Sequence, residues 1–574
     1  MSTFRVLPLA LVLAGCASGA VATTPSPDAP SALPMKYAAR PTVGAITAAD
    51  AMSRLYVLAD DSMLGREAGT LGNVKGTDYI AGEMRRMGLV PGGENGTYFQ
   101  TVPMTVTRID VARTLSVDGV SLGMDDLLPY AGAAIPRGAT LRPLDGVTAV
   151  YGGRLPATGE TIDPARAAGK LVVFTLAPAT SGQREIRSLA TAGLARYADA
   201  AGIAVVLLDA MQPAAIRRLT VPQTRVSATD GNGAAPVGML LTPVAAQRLL
   251  GVASLDGLAV GAAGRTVRGG VGFTETPAQY PSRNVVGILP GSDPARRGEY
   301  VAVGAHNDHI GLERRPLDHD SVLAFNMVVR RQGVQDTVVV PDEAQARRIA
   351  FLRDSLTRAH GGPRADSVNN GADDDGSGTV ALLEIAERFA TAKARPRRSM
   401  LFVSHVGEEK GLIGSAWFTD HPTVPRDSIV AQLNMDMVGR GKPTDIMGRG
   451  PNNIQLIGPR RLSTQLGDLI DSVNAARTPR MAIDTSFDTR GHPLNRYCRS
   501  DHYEYARYNI PITYFSLGYH TDYHQVTDEP QYIDYGHLAR IAQFVHDVAE
   551  AVANRPERLV VDGPRMDPRG GCRQ

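Results

Sequence analysis

The stretch EYVAVGAHNDH, residues 299–309, joins a short apolar run to His306 and Asp308. The run has the length and composition of a strand that is buried on both faces of a sheet. A histidine and a carboxylate therefore follow directly after a buried strand. In α/β proteins this is the position where functional groups gather.

The chain beyond Pro281 repeats this alternation of apolar strands and amphipathic helices. The other segments are NVVGIL (284–289), a helix TVALLEIAERFATA (379–392), RSMLFVSH (398–405), IVAQLNMDM (429–437), IPITYFSLG (510–518) and a closing helix carrying Leu538, Ile541 and Val545. The alternation predicts an α/β fold with a mostly parallel, mixed sheet sandwiched by helices. We therefore expect the functional residues beyond the carboxyl ends of the strands.

Four clusters of histidine and carboxylate stand at such positions, and all 12 histidines lie between His306 and His546. Besides HNDH they are GADDDGSG (371–378), LNMDM (433–437) and YHTDYHQVTDE (519–529), and the adjacent glutamates of VSHVGEEKG (403–411) follow a further strand. Each has an ordinary explanation by itself; acidic residues, for example, are stabilising at a helix N-terminus. Together they predict one site in a C-terminal catalytic domain.

The donor set in these clusters suits zinc. Two imidazoles with three or four carboxylates are typical zinc ligands, with a water held in an open position. Three carboxylates and a hydroxide would balance the charge of two Zn²⁺ ions. We therefore expect two Zn²⁺ per chain, arranged as a clamp for attack on a carbonyl.

As an ordered set, these motifs resemble the co-catalytic di-zinc aminopeptidases of metallopeptidase family 28. The resemblance runs from LGREAGT (residues 64–70) to near residue 550. It implies that His306 and Asp436 bind one zinc, that Glu409 and His524 bind the second, and that Asp374 bridges both. It also implies that Glu408 is the general base acting on a metal-bridged hydroxide. Asp308 is expected to orient His306.

Two of these assignments depend on register. DDD offers three candidate bridges, and Asp374 is chosen because the family's DDGSG aligns with residues 374–378. HTDYH offers two histidines, and His524 is chosen because the family pattern continues to an acid, here Asp528. His520 is then expected to line the substrate pocket. The SDH segment, residues 500–502, also looks family-like but reads equally well as a structural loop.

The N-terminus reads as a secretion signal, with Arg5, an apolar run and small residues before Cys16. It is too short for a membrane span. Leu13 to Cys16 resembles a bacterial lipobox, which implies a signal at residues 1–16, lipidation of Cys16 and a cell-envelope location. Ala17 after the cysteine resembles outer-membrane lipoproteins facing the periplasm. An ordinary signal, cut near Ala17 or Ala20 to give a secreted protein, is the alternative.

The remaining chain divides into five predicted parts. A flexible linker (17–42) precedes the N-terminal part of the peptidase domain (43–132), and a β-rich stretch (133–276) resembles the protease-associated domain. The main zinc-peptidase domain (277–555) carries an insertion (313–364), and a tail (556–574) follows. We expect the insertion to be a lid that restricts the cleft to short peptides.

Charge and cysteine content limit the partners. Lys plus Arg number 60 against 58 for Asp plus Glu, so a net charge of +2 gives no reason to expect a nucleic acid. The expected partners are peptides, with the membrane reached only through the lipid anchor. Cys498 and Cys572 could form a disulfide in an oxidising compartment, which sequence alone does not settle.

The leading interpretation is an aminopeptidase, but three others remain. A glutamate-type carboxypeptidase or dipeptidase would need cations for substrate carboxylates, which Arg314, Arg315, Arg330 or Arg331 could supply. A glutaminyl cyclase with one zinc is a less favoured enzyme. A non-catalytic binding ectodomain is the least favoured reading, because every ligand position here is filled.

Overall fold

The computed structural model describes residues 33–130, 140–155, 160–176, 193–211, 213–226, 234–330, 340–442, 445, 450–568, 570–572 and 574. The predicted signal with Cys16, most of the predicted linker and Arg331 lie outside these residues.

The larger sheet has nine described strands and is mixed. Along the sheet they are Val90–Pro91, Ser282–Leu289, Ser399–His405, Tyr300–His306, Ile429–Met435, Ile512–Ser516, Asn453–Ile457 and Ala482–Asp484, with Phe99–Val102 also beside Ser282–Leu289. The four central strands, from Ser399–His405 to Ile512–Ser516, are parallel, and antiparallel pairs flank them. The predicted α/β class with a mixed sheet is confirmed.

Both faces of this sheet are covered, as the continuous apolar strands predict. In Ser399–His405, Met400 and Phe402 pack into a core on one face, while Leu401 and Val403 pack into a second core on the other. Complete burial of one such side chain contributes roughly 1.5–3 kcal/mol. The two helical layers thus hold the sheet, and the ends of its strands, in a fixed position.

Helices from both ends of the sequence form these layers. The closing helix Tyr535–Asn554 packs against Ala48–Leu58 and Gly378–Thr391 on one face. The described helices are Ala48–Leu58, Leu71–Arg86, Pro164–Ala167, Pro213–Thr220, Pro243–Leu250, His319–Val329, Glu343–His360, Gly378–Thr391, Ile413–Asp420, Thr464–Ala475, His502–Ala506 and Tyr535–Asn554. Within the described part of the chain, none has the length and apolar character that a membrane crossing requires.

A second sheet of eight described strands forms a separate core. Its order is Val120–Leu122, Leu115–Val117, Ala263–Gly269, Thr148–Leu155, Leu171–Leu176, Gly202–Val206, Val237–Leu241 and Leu127–Pro129. Its strands begin at Leu115, earlier than residue 133, where the β-rich module is predicted to start. Its assignment as a protease-associated domain stays a prediction.

Three small sheets complete the fold. Met104–Ile109 pairs with Gln223–Val226 and Phe273–Pro277, Thr140–Leu141 pairs with Ala234–Ala235, and Leu312–Asp318 pairs with Ala365–Val368. The last pair closes the base of the insertion, whose described helices are His319–Val329 and Glu343–His360. At the C-terminus, Cys572 forms a disulfide with Cys498, which the sequence left open.

Candidate metal centre

The sheet brings His306 and Asp436 to the same edge. His306 is the last residue of Tyr300–His306, and Asp436 directly follows the adjacent parallel strand Ile429–Met435. His306 Nε2 lies 3.8 Å from Asp436 Oδ1. Ser500 Oγ donates a hydrogen bond of 2.8 Å to the other Asp436 oxygen, Oδ2. The SDH segment therefore orients Asp436, a role that the sequence analysis did not assign.

The three aspartates after Ala372 have different partners. Asp373 Oδ1 accepts hydrogen bonds from the Gly439 N–H at 2.6 Å and from Ser377 Oγ at 2.8 Å. Asp375 accepts the backbone N–H groups of His306, Gly378 and Met437. These two carboxylates fix the turn, so Asp374 is the one whose carboxylate is available to the cluster.

Asp374 lies between two histidines that come from opposite sides. Its Oδ1 is 3.2 Å from His306 Nε2, and its Oδ2 is 3.1 Å from His524 Nε2. Burial would raise the pKa of Asp374, but His306 and His524 hold it well below its usual value. One carboxylate therefore faces two donor groups, as a bridging ligand must.

The second group of donors contains a residue that the sequence analysis missed. His524 Nε2 lies 2.9 Å from Glu409 Oε2, and His309 Nδ1 lies 2.9 Å from Glu409 Oε1. His309, Asp374, Glu409 and His524 each offer a ligand atom, and these atoms all lie within 4.8 Å of one another. His306, Asp375 and Asp436 form the other such group.

The buried polar atoms of these groups test whether a metal fits. His306 Nε2, His309 Nδ1, Asp374 Oδ2, Glu409 Oε1 and His524 Nε2 are buried, and none has a hydrogen-bond partner among the described residues. Leaving such atoms unpaired costs about 1–3 kcal/mol each. Imidazole nitrogens and carboxylate oxygens are the ligands that zinc prefers. The unpaired atoms face one another, so the donor set fits zinc.

Glu408 and Asp308 are placed beside the donors. Burial raises the pKa of Glu408 well above its usual value, and although His306 opposes the shift, Asp436 adds to it. Asp308 Oδ1 accepts the N–H groups of Gly407 at 2.7 Å and Glu408 at 3.1 Å. Asp308 thereby fixes the backbone that carries both glutamates.

The contact between Asp308 and His306 differs from the prediction. The Asp308 backbone carbonyl oxygen lies 3.0 Å from His306 Nδ1, whereas its carboxylate Oδ1 is 3.8 Å away. The carbonyl can accept a proton from Nδ1, which leaves Nε2 free to face Asp374. The orientation of His306 thus comes from the main chain, because the carboxylate is engaged with the 407–408 backbone.

His520 does not line the pocket, contrary to the prediction. Its imidazole is fully buried, with Nε2 3.3 Å from Asp373 Oδ2 and Nδ1 accepting the Asp522 N–H at 3.1 Å. Of the two histidines in HTDYH, only His524 reaches the donor cluster. His520 instead packs behind the aspartate turn.

A pocket of about 320 Å³ opens onto the donors. Asp374, Glu408, Glu409, Asp436 and His524 line it, and its remaining wall is formed by Gly411, Leu412, Met437, Cys498, Arg499, Tyr519 and Tyr523. None of the described residues of the insertion is among them. Arg314 and Arg315 are exposed on the insertion's first strand and do not line the pocket, whereas Arg499 does.

Comparison with known proteins finds one family model that matches the part of the chain with this site. Residues 284–549 match the family model of Peptidase family M28, and this segment contains every predicted metal residue. Over 206 residues the chain is 30% identical to a "Probable zinc metalloprotease" of Pyrenophora teres f. teres (strain 0-1), covering 32% of this chain and 41% of that protein.

A second curated protein and one solved structure are also similar to the chain. Over 202 residues the chain is 29% identical to "Leucine aminopeptidase 1" of Paracoccidioides brasiliensis (strain Pb03), covering 32% of this chain and 48% of that protein. The solved "Aminopeptidase from Aneurinibacillus sp. strain AM-1" is 16% identical with a TM-score of 0.45, covering 91% of this chain and 98% of that one. The chain spans less than half the length of the two curated relatives, the zinc metalloprotease and the leucine aminopeptidase.

Proposed function

We propose that the protein is a zinc-dependent aminopeptidase that removes N-terminal residues from peptides. The observation that carries this proposal is the position of Asp374, whose two oxygens face His306 on one side and His524 on the other. The match of residues 284–549 to a peptidase family supports the same class of reaction.

The proposed zinc sites share Asp374. His306 and Asp436 would hold one ion with it, and Glu409 and His524 the other. Bound zinc would polarise the scissile carbonyl and lower the pKa of a water. Glu408 lies at the pocket wall beside these donors, where its carboxylate is placed to accept a proton.

Glu408 has two tasks in this mechanism. It accepts a proton from the attacking water, and it later donates that proton to the departing amine. Asp308 fixes the backbone N–H of Glu408, so the carboxylate is held at the pocket. The free amine of a substrate would be attracted to the pocket carboxylates, and Tyr519 and Tyr523 would contact the first side chain.

The carboxypeptidase or dipeptidase alternative has one observation in its favour. Arg499 is exposed and lines the pocket, with its guanidinium carbon 5.5 Å from the centre of the Tyr519 ring. A guanidinium in this position could bind a substrate carboxylate. This activity is the second candidate.

The two candidates differ in the end of the peptide that must be free. We expect purified protein to contain two zinc ions per chain and to hydrolyse leucine p-nitroanilide but not an N-acetylated dipeptide. Chelator-treated protein with and without added zinc is the control. Hydrolysis of the blocked dipeptide alone would favour the second candidate, and one zinc per chain would favour a cyclase.

We also propose a cell-envelope location, with Cys16 as the lipid anchor and peptides as the substrates. The disulfide between Cys498 and Cys572 supports an oxidising compartment, where such bonds persist. Metabolic labelling with a radioactive fatty acid tests the anchor. Label should enter the natural protein and not the Cys16→Ser variant.

A further inference from the structure

His309 is a buried imidazole at the centre that the family resemblance did not assign. It lies three residues beyond His306, where the strand has ended, and its side chain is fully buried. Its Nδ1 is 2.9 Å from Glu409 Oε1 and 3.8 Å from Asp374 Oδ2. Its ring meets the His524 ring edge to face, with centroids 5.5 Å apart. His309 therefore shares its neighbours with the His524 zinc site.

The 2.9 Å approach to Glu409 is not a hydrogen bond. Neither ring nitrogen of His309 has a hydrogen-bond partner among the described residues, and neither does Glu409 Oε1. A ring N–H must point at its acceptor to form a bond, and here the direction is wrong. Two donor atoms that approach without bonding each other are arranged as ligands of a common third atom.

The backbone beside His309 makes room for this ring position. Gly371 has φ 54°, and a Cβ there would lie 2.4 Å from His309 Cγ. A side chain at this position would displace the ring, so the glycine before the aspartate turn allows the close approach.

We propose that His309 Nδ1 is a fourth protein ligand of the zinc held by Asp374, Glu409 and His524. This inference rests on the proposed function, because it requires the zinc pair. The other zinc has three protein ligands, His306, Asp374 and Asp436, since the Asp375 oxygens are occupied by backbone N–H groups. The two ions are then held unequally, and the His306 ion keeps the open position that zinc catalysis needs.

X-ray absorption at the zinc edge tests this on the natural protein. A total of three imidazole ligands for the two ions supports His309 as a ligand, and a total of two overturns the proposal. Protein that binds no zinc overturns the proposed function as well, so the two failures are distinguishable.

A variant gives a second readout that does not depend on turnover. His309→Gln should weaken the second zinc by at least the roughly 10–100-fold that outer-shell changes cause, measured by competition with a chelator. The matched control is His405→Gln, which removes another buried imidazole, one that lies 3.1 Å from the Tyr505 hydroxyl. Equal zinc affinity in the two variants would overturn the proposal, and their circular dichroism reports folding.

A separate observation concerns the insertion, which contacts the segment carrying His524. We call residues 520–529 the His524 loop. Asn326 Nδ2 donates to Asp522 Oδ1 at 3.1 Å and to Gln525 Oε1 at 2.9 Å. His319 Nε2 lies 2.9 Å from Glu529 Oε2. The insertion thus binds the loop on both sides of His524.

The same loop also holds the bridging aspartate. The Asp528 carboxylate accepts the Asp373 N–H at 3.0 and 3.1 Å and the Asp374 N–H at 3.1 Å. Arg364, at the end of the insertion, donates to Glu529 Oε2 at 2.9 Å. These contacts connect the insertion to two proposed ligands, although none of its described residues lines the pocket.

We infer that the insertion positions His524, with Asn326 as a positioning residue. Asn326→Ala should weaken the His524-side zinc about 10-fold or more, with little change in the KM for short peptides. Asn326→Gln, which keeps the amide, should recover part of the affinity. Arg347→Ala is the control on the same insertion, because its pair with Glu343 is exposed. Unchanged zinc affinity with altered peptide-length selectivity would overturn this inference in favour of a lid.

Discussion

The two halves of the proposed metal centre are held in different ways. The His306 half, His306 and Asp436, lies at the ends of adjacent parallel strands of the larger sheet. The His524 half, His309, Glu409 and His524, lies on segments outside regular strands. His524 has φ 57°, in the left-handed region that is unfavourable for a residue with a side chain. The strand ends bring His306 and Asp436 together, with single side-chain contacts from Asp375 and Ser500, whereas the ligands on loops depend on contacts from several distant segments.

Those contacts come from distant parts of the chain. Asp308 fixes the 407–408 backbone before Glu409, and Asn326 and His319 of the insertion fix the His524 loop. Each of these bonds joins residues about a hundred or more positions apart in sequence. The His524 half should therefore be the more sensitive to changes outside the ligands.

The largest expected effect separates Glu408 from its neighbour Glu409. Glu409 contacts His309 and His524, whereas Glu408 lies at the pocket wall and is in neither group of ligand atoms. Glu408→Gln should lower kcat by about 10²–10⁴, because it removes a general base but no ligand. Zinc content, measured by atomic absorption, should stay at the natural level. Near-natural kcat in this variant would remove Glu408 from the mechanism.

A smaller effect is expected when one half loses a ligand. Asp436→Asn should release the His306-side zinc, and Glu409→Gln should release the His524-side zinc, each by at least a 10–100-fold loss of affinity. X-ray absorption of the remaining ion distinguishes the two cases by its imidazole ligands. The ion that remains should have two imidazole ligands, from His309 and His524, in the Asp436 variant and one, from His306, in the Glu409 variant. Release of both ions by either change would show that the halves are not separable.

The same contrast explains what could be predicted from sequence. Apolar runs and their order predict the mixed sheet, and the sheet brings His306 and Asp436 together without further information. His309 follows the strand by three residues in a stretch without periodicity, so only the HNDH string itself indicated a second imidazole. Which histidine of HTDYH reaches the centre depends on the backbone of the His524 loop. Pattern alone therefore misplaced His520.

The sequence also could not predict contacts made by a residue's main chain or contacts between residues far apart in the chain. Asp308 orients His306 through its backbone carbonyl rather than its carboxylate. Both groups belong to the same residue, so its identity does not show which of them makes the contact. The insertion contacts the His524 loop across about two hundred residues, so its length indicated a function but its partner could not be identified.

The smallest effect on the centre is expected from the disulfide, which belongs to neither half. Cys498 lines the pocket, and its bond to Cys572 closes a separation of 74 residues. Replacing both cysteines by serine should lower the free energy of unfolding by about 2–4 kcal/mol, because the unfolded chain gains freedom. Zinc content should not change, since residues 556–574 contribute none of the proposed ligands. Denaturant unfolding and zinc analysis of the same samples check both statements. Loss of zinc from this variant would mean that the pocket wall, and not only the two halves, supports the ligands.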